Sequence, residues 1–177
     1  MSFVLSSCTN KKDAVISIFN NFFDQEVTAL NNVADADQFL EYLTSADERF
    51  NAFYEKMDQD YPLTEDGDFA NFSQEDSDAA MKVFDDRYDA YETLRDTKAE
   101  TMFEPYLAKL EDLVNGLADD LINEVEPAED IVDQILAAYD DIEKYADLGS
   151  DDQADRFNDT DELVRIIFGL DEDEEQE

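Results

Sequence analysis

From Ser73 to Val125 apolar side chains return every three or four residues: Met81, Phe84, Tyr88, Tyr91, Leu94, then Phe103, Leu107, Leu110, Val114, Leu117, Leu121 and Val125. That is the spacing of one face of an α-helix. Asp85, Asp86, Asp89, Glu92, Asp96, Glu100, Glu111, Asp112, Asp119 and Asp120 fill the positions between, so the outward face is anionic. Ser73, with Asp76 three residues on, makes a near capping box at the start. Pro105 is the one strong breaker. The run from Thr97 to Glu104 holds no Gly or Asn to make a turn, which favours a kinked continuation over two separate antiparallel helices.

The same pairing of apolar stripe and acidic face recurs on either side. A first helix starts with Asp13 as N-cap, carries Val15, Ile16, Ile18, Phe19, Phe22, Phe23, Val27 and Leu30, and ends near Asn31 and Asn32. Asp35 or Asp37 caps a second, whose Phe39, Leu43, Ala46, Phe50, Phe53 and Met57 step alternately by four and three; such a stripe reads as core before it reads as an apolar ligand cleft. Tyr61 and Pro62 stop it, and 63–72 reads as a loop. Beyond the central helix Pro127 opens another as its first-turn residue, buried on two sides because Val132, Leu136 and Tyr139 widen the stripe of Ile131, Ile135, Ala138, Ile142 and Tyr145, and Gly149 ends it. Residues 150–160 read as an acidic linker, with a last short helix after Asp161 capped or stopped at Gly169. The expected fold is all-α: a bundle of five to six helices with a long, kinked central one, a single helical domain over 13–170, a tether over 1–12 and a disordered tail over 171–177.

Charge changes the picture more than length does. The 177 residues carry 49 Asp plus Glu against 12 Lys plus Arg and no His, a net charge of -37. Charge against hydropathy alone leans toward disorder, but 13 Phe, 8 Tyr and a hydrophobic fraction of 43%, placed periodically, supply a core. Phosphates and anionic lipid headgroups are repelled by such a surface, which excludes direct nucleic-acid binding. What it attracts is cations: basic proteins, divalent metals and polyamines. A purely solvated face, or halophilic adaptation, accounts for the charge equally simply. Mutual repulsion in the compact state predicts that stability rises as pH falls from 7 toward the carboxyl range, and that salt acts the same way.

Leu5, Ser6, Ser7 and Cys8 are followed by Thr9, Asn10, Lys11, Lys12 and Asp13, and Cys8 is the only cysteine. These four residues resemble the lipobox of bacterial lipoproteins, in which an apolar residue and two small ones precede the cysteine that is lipidated. The resemblance implies lipid on Cys8, a chain whose signal segment begins upstream of Met1, and attachment to a bacterial cell envelope through two or more acyl chains. The alternative is an incidental cysteine in a cytoplasmic protein. No apolar run approaches the roughly 20 residues of a membrane span.

The absence of His removes His-based nucleophile activation and His-ligated zinc. Carboxylate pairs arise by chance in so acidic a chain and identify no glycosidase-like site. The acidic groups around Gly67 and Gly149 do not have EF-hand spacing, so no metal and no cofactor is expected, and no catalytic residue. Two functions fit. One is a non-enzymatic lipoprotein acting as a binding or scaffolding module at the envelope. The other is an intracellular acidic inhibitor, since DNA-mimic and toxin-immunity proteins are similar to this chain in bulk. For the latter, Asp85, Asp86, Asp89, Glu92 and Asp96 form the candidate partner-binding face, its turns about 5.4 Å apart, within a factor of two of phosphate spacing.

Overall fold

The computed structural model of the protein describes residues 11–169. Five helices follow one another: α1 (Lys11–Asn31), α2 (Ala36–Asp60), α3 (Gln74–Ile122), α4 (Ile131–Tyr145), trailed by a 3-10 turn at Ala146–Leu148, and α5 (Asp151–Phe168). Among the described residues there is no strand beyond an isolated bridge between Leu63 and Phe69. The fold is therefore all-α, a helical bundle with a long central helix. The tether around Cys8 and the tail at 171–177 lie outside the described residues.

Local chemistry explains most of the boundaries. Asp35 caps α2, its carboxylate accepting from the Gln38 N–H at 2.9 Å. At the start of α3 the Asp76 N–H donates to Ser73 Oγ at 3.2 Å while the Ser73 hydroxyl donates back to Asp76 Oδ2 at 2.9 Å. Pro105 lies inside α3 without ending it; its position is exposed, so water can take the hydrogen bond its ring cannot donate. Gly169 closes α5 in the left-handed region, φ 62°, a conformation glycine enters without steric cost.

The chain forms two compact units, one up to Arg95 and one from Asp96. The first unit is built from α1, α2 and the first part of α3. Its core holds Val15, Phe19, Phe23, Leu30, Phe39, Phe53 and Met57, with Phe69 folded in from the loop. In the second unit Phe103, Leu107, Leu110, Val114 and Leu117 of α3 meet Ile135, Ala138, Ile142 and Tyr145 of α4 and Val164 of α5 in being buried.

Several expectations are corrected. α1 begins at Lys11, so Asp13 sits inside its first turn instead of capping it. α3 stops at Ile122 and not at Val125, because Glu124 turns the backbone into the left-handed region, φ 57°. Pro127 lies in the loop that follows, and Asp130 is the residue flanking α4. α4 is buried on one side only: Val132 is 44% and Leu136 58% exposed. The supposed linker at 150–160 is the first half of α5. Ser150 and Gln153 form a full capping box there, and polar contacts to α3 do the anchoring that apolar periodicity does elsewhere.

Candidate functional site

The carboxylate row proposed from sequence is only partly assembled. Asp85, Asp89 and Glu92 share one face of α3, whereas Asp86 is turned about 100° from Asp85. Asp86 is held by Lys82 at 2.7 Å. Glu92 is half-buried and faces Arg95 at 3.7 Å. Asp96 is exposed and opens the second unit. Asp85 and Asp89 are exposed and make no hydrogen bond or ion pair among the described residues. Cys8 lies outside the described residues.

A polar cluster in the first unit was not foreseen. Glu26 is 2% exposed, and the Arg49 guanidinium grips it with two hydrogen bonds, Nε to Oε1 at 2.6 Å and Nη2 to Oε2 at 2.8 Å. Arg49 Nη1 donates to Ser45 Oγ at 2.8 Å. The Tyr42 hydroxyl hydrogen-bonds Glu26 Oε2 at 3.1 Å and the Tyr91 hydroxyl at 3.0 Å, and the guanidinium carbon stands 5.3 Å from the Tyr42 ring centre. Burial, then the Tyr91 bond and the Glu26 charge, push the Tyr42 hydroxyl far above its ordinary range. Burial raises Tyr91 as well. The Glu26 bond raises Arg49. No buried side-chain polar atom among the described residues lacks a partner, so the buried part of this cluster is a satisfied lock between α1, α2 and α3. Glu26 could have been found: it occupies an apolar position in the series Val15, Phe19, Phe23, Glu26, Leu30, where a lone charge demands a buried partner.

The second unit has a looser counterpart. Arg156 reaches Glu104 at 2.8 Å and Glu111 at 2.6 Å, and Gln153 Nε2 donates to the Glu100 carbonyl and to Glu104. Bonds from Arg156 and then Gln153 hold the Glu104 carboxyl below its usual range. Nearby, the Tyr139 hydroxyl donates to Asp161 at 2.8 Å and is raised by burial and by that bond. Burial pushes Asp161 up, but Arg165 and Tyr139 outweigh it and its carboxyl ends low.

Two of the cavities are chiefly apolar. One of about 290 Å³ in the first unit is walled by Phe19, Phe53, Met57 and Phe84, with Asp58 at its edge. One of about 420 Å³ in the second is walled by Phe103, Tyr139, Ile142 and Phe157. Neither gathers the convergent polar groups that orient a substrate. Among the described residues no group of three or more His, Cys, Asp and Glu is placed to hold a metal ion, and no helix is long and apolar enough to cross a membrane. What the arrangement offers chemically is surface charge. Compared with protein-family models, curated proteins and solved structures, the chain matches none.

Proposed function

We propose that the chain is a non-enzymatic binding module whose anionic helical surface takes a basic protein, held at a bacterial envelope by lipid on Cys8. The observation that carries the binding half is the pair Asp85 and Asp89. Both are exposed and uncommitted, while the cations beside them, Lys82, Arg87 and Arg95, are engaged by Asp86, Asp24 and Glu92. Carboxylates left open in this way steer a cationic surface toward the helix and set the rate of encounter. The anchoring half rests on the lipobox-like Leu5, Ser6, Ser7 and Cys8. The same Asp85 and Asp89 support a second reading, an intracellular inhibitor of the DNA-mimic or toxin-immunity type. Nucleic acid itself is repelled under either reading, and neither requires a cofactor.

The experiment expresses the gene with its own upstream region in a bacterial host fed an alkyne-tagged fatty acid. Label on the membrane fraction that disappears in Cys8→Ser supports the anchor. An unlabelled, soluble product removes it and leaves the inhibitor reading. Binding is read separately, with a basic nucleoid protein as probe. The double variant Asp85→Asn and Asp89→Asn should weaken it several-fold more than the matched control Asp47→Asn and Glu48→Gln, and wild-type affinity should fall steeply between about 50 and 200 mM salt. Equal losses in the two variants would show that bulk charge acts, not this face.

A further inference from the structure

The second unit does not close at one of its ends. α3 and α4 run antiparallel, with Lys109 meeting Asp141 at 3.1 Å and the Tyr106 and Tyr145 rings 4.4 Å apart. α4 and α5 are antiparallel too, since the chain turns between them within residues 146–150 and Tyr139, near the middle of α4, meets Phe157 and Asp161 near the middle of α5, and Arg156 pins α5 beside α3 through Glu104 and Glu111. Carried along each helix at about 1.5 Å per residue, these registers bring together the end of α3, the start of α4 and the end of α5.

Apolar surface collects there. Leu121 continues the stripe of Leu107, Leu110, Val114 and Leu117, none more than 5% exposed, yet is itself 49% exposed. At its level α4 has yet to begin and α5 is ending, so the core stripe runs into solvent. By helical phase Val132 and Leu136 stand on the flank of α4 that carries Tyr139 toward α5, and Phe168, 40% exposed, stands on the flank of α5 that carries Phe157 toward α4. Of the large hydrophobic residues exposed among the described residues, all but Tyr54 and Leu63 belong to this end of the second unit. An apolar patch ringed by charge is the mark of an interaction surface.

The rim says what fits. No Lys or Arg occurs between Lys109 and Lys144. Glu124, Glu129 and Asp133 are exposed and Asp120 half-buried close in sequence to Leu121 and Val132, and Glu162 is exposed on α5. Arg165, the cation at this level, is engaged by Asp161 at 2.8 Å. We propose that this end is the docking surface for a basic amphipathic helix of a partner protein, whose apolar side covers Leu121, Val132, Leu136 and Phe168 while its Lys or Arg flanks meet the rim. The proposal rests on the reading of the chain as a binder of basic proteins and adds to the Asp85 and Asp89 face a second, apolar contact for such a partner. A second copy is a poor occupant, because it would set one carboxylate rim against another.

The test titrates the full chain with a synthetic Leu/Lys amphipathic peptide of about 18 residues, followed by backbone amide shifts and by calorimetry. Saturable binding with shifts grouped at 117–136 and 160–168 is expected. The double variant Val132→Ser and Leu136→Ser should cut affinity at least tenfold, Phe168→Ser should cut it in the same direction, and Asp47→Asn with Glu48→Gln should leave it within twofold. All replaced apolar positions are exposed, and unchanged melting curves verify the fold. Shifts confined to the Asp85 face would overturn this site but leave a basic partner in place. No binding of the peptide anywhere, even at low salt, would remove both. Sedimentation showing a salt-promoted dimer that the Val132 and Leu136 variant abolishes would replace the partner by a second copy.

Discussion

In the first unit Phe19, Phe23, Phe53 and Phe84 meet ring to ring, at centroid separations of 5.2 Å for Phe19 with Phe84, 5.5 Å for Phe23 with Phe84 and 6.1 Å for Phe19 with Phe53. In the second the interior is chiefly leucine, valine and isoleucine, with ring pairs such as Tyr106–Tyr145 and Tyr139–Phe157 at its sides. The contrast extends to charge. Glu26 is sealed inside the first unit with a side chain 3% exposed, whereas Glu104 and Arg156, with the same chemistry, sit at 45% and 40%. Aromatic side chains bury a large area and reach across the gaps where helices diverge. Aliphatic stripes are covered only while a neighbour runs alongside, and Leu121 shows where the neighbours stop. The first unit holds the Glu26 carboxylate inward as a lock, and the second leaves Leu121 and the Glu104–Arg156 pair partly in water.

The sharpest test of the difference is to cut the same kind of ion pair in each unit. Arg49→Ala strands the buried Glu26 carboxylate and should cost about 3 kcal/mol, the low end for a broken buried pair, because Arg49 itself is partly exposed. Arg156→Ala should cost less than about 1 kcal/mol, since its carboxylates turn to water. Urea denaturation of the two variants reads both. Similar losses would mean that the second unit's polar contacts are as sealed as the first's.

The second comparison stays on one stripe. Leu110→Ala removes a side chain that is 0% exposed and should cost about 3 kcal/mol for lost burial plus cavity. Leu121→Ala, same residue type and same helix face, should cost under about 1 kcal/mol, in proportion to the surface it already shows to water. A Leu121→Ala loss as large as that of Leu110→Ala would show the end to be covered, and would also undercut the docking surface proposed on it.

Helix starts give a smaller effect. Ser150→Ala removes a capping box and should cost about 1 kcal/mol. Asp130 flanks α4 without a side-chain cap bond, so Asp130→Ala should cost no more than a few tenths through the helix dipole. Thermal melts of the pair decide it.

These magnitudes also show which parts of the molecule the amino-acid pattern could reveal. Wherever burial is apolar and periodic it was readable: the caps at Asp35 and Ser73, the stop at Tyr61, the stripe through Phe103 and Leu117, and the passage of one helix across Pro105 all follow from spacing and turn chemistry. Reading failed where polar contacts do the anchoring. The first half of α5 has a weak apolar repeat and is fixed through Gln153 and Arg156, so it looked like a linker, although Ser150 and Gln153 at capping-box spacing were there to be noticed. Glu26 escapes an apolar-periodicity reading for the same reason, since its burial is secured by Arg49 and Tyr42. The end of the second unit was invisible because periodicity says which face turns inward and not how far the neighbouring helices extend. Val132 and Leu136 therefore looked like a second buried side.

The least of the effects concerns pH, where two terms of opposite sign meet. Self-repulsion of a chain with net charge -37 is the first, and relieving it is expected to raise stability as pH falls from 7. Glu104, drawn down by Arg156 and Gln153, and Asp161, drawn down chiefly by Arg165 against its burial, work the other way. A carboxyl lowered in the folded state stabilises above its unfolded pKa, near 4, and that contribution is lost as pH falls through the lower folded value. Melting temperature should therefore climb as pH drops from 7 toward about 5 and turn down below about 4. Glu104→Gln cannot be protonated and keeps an acceptor for Arg156, so it should lower the plateau slightly and flatten the acid side, and added salt should shrink the climb. An acid limb unchanged by Glu104→Gln would assign the downturn to other carboxylates, with those bound by Lys12 and Arg165, Asp76 and Asp161, next to be replaced. A melting temperature that falls steadily from pH 7 would mean that paired carboxylates outweigh the repulsion of the whole surface, and that the open end of the second unit is less strongly anionic toward a basic partner than its sequence implies.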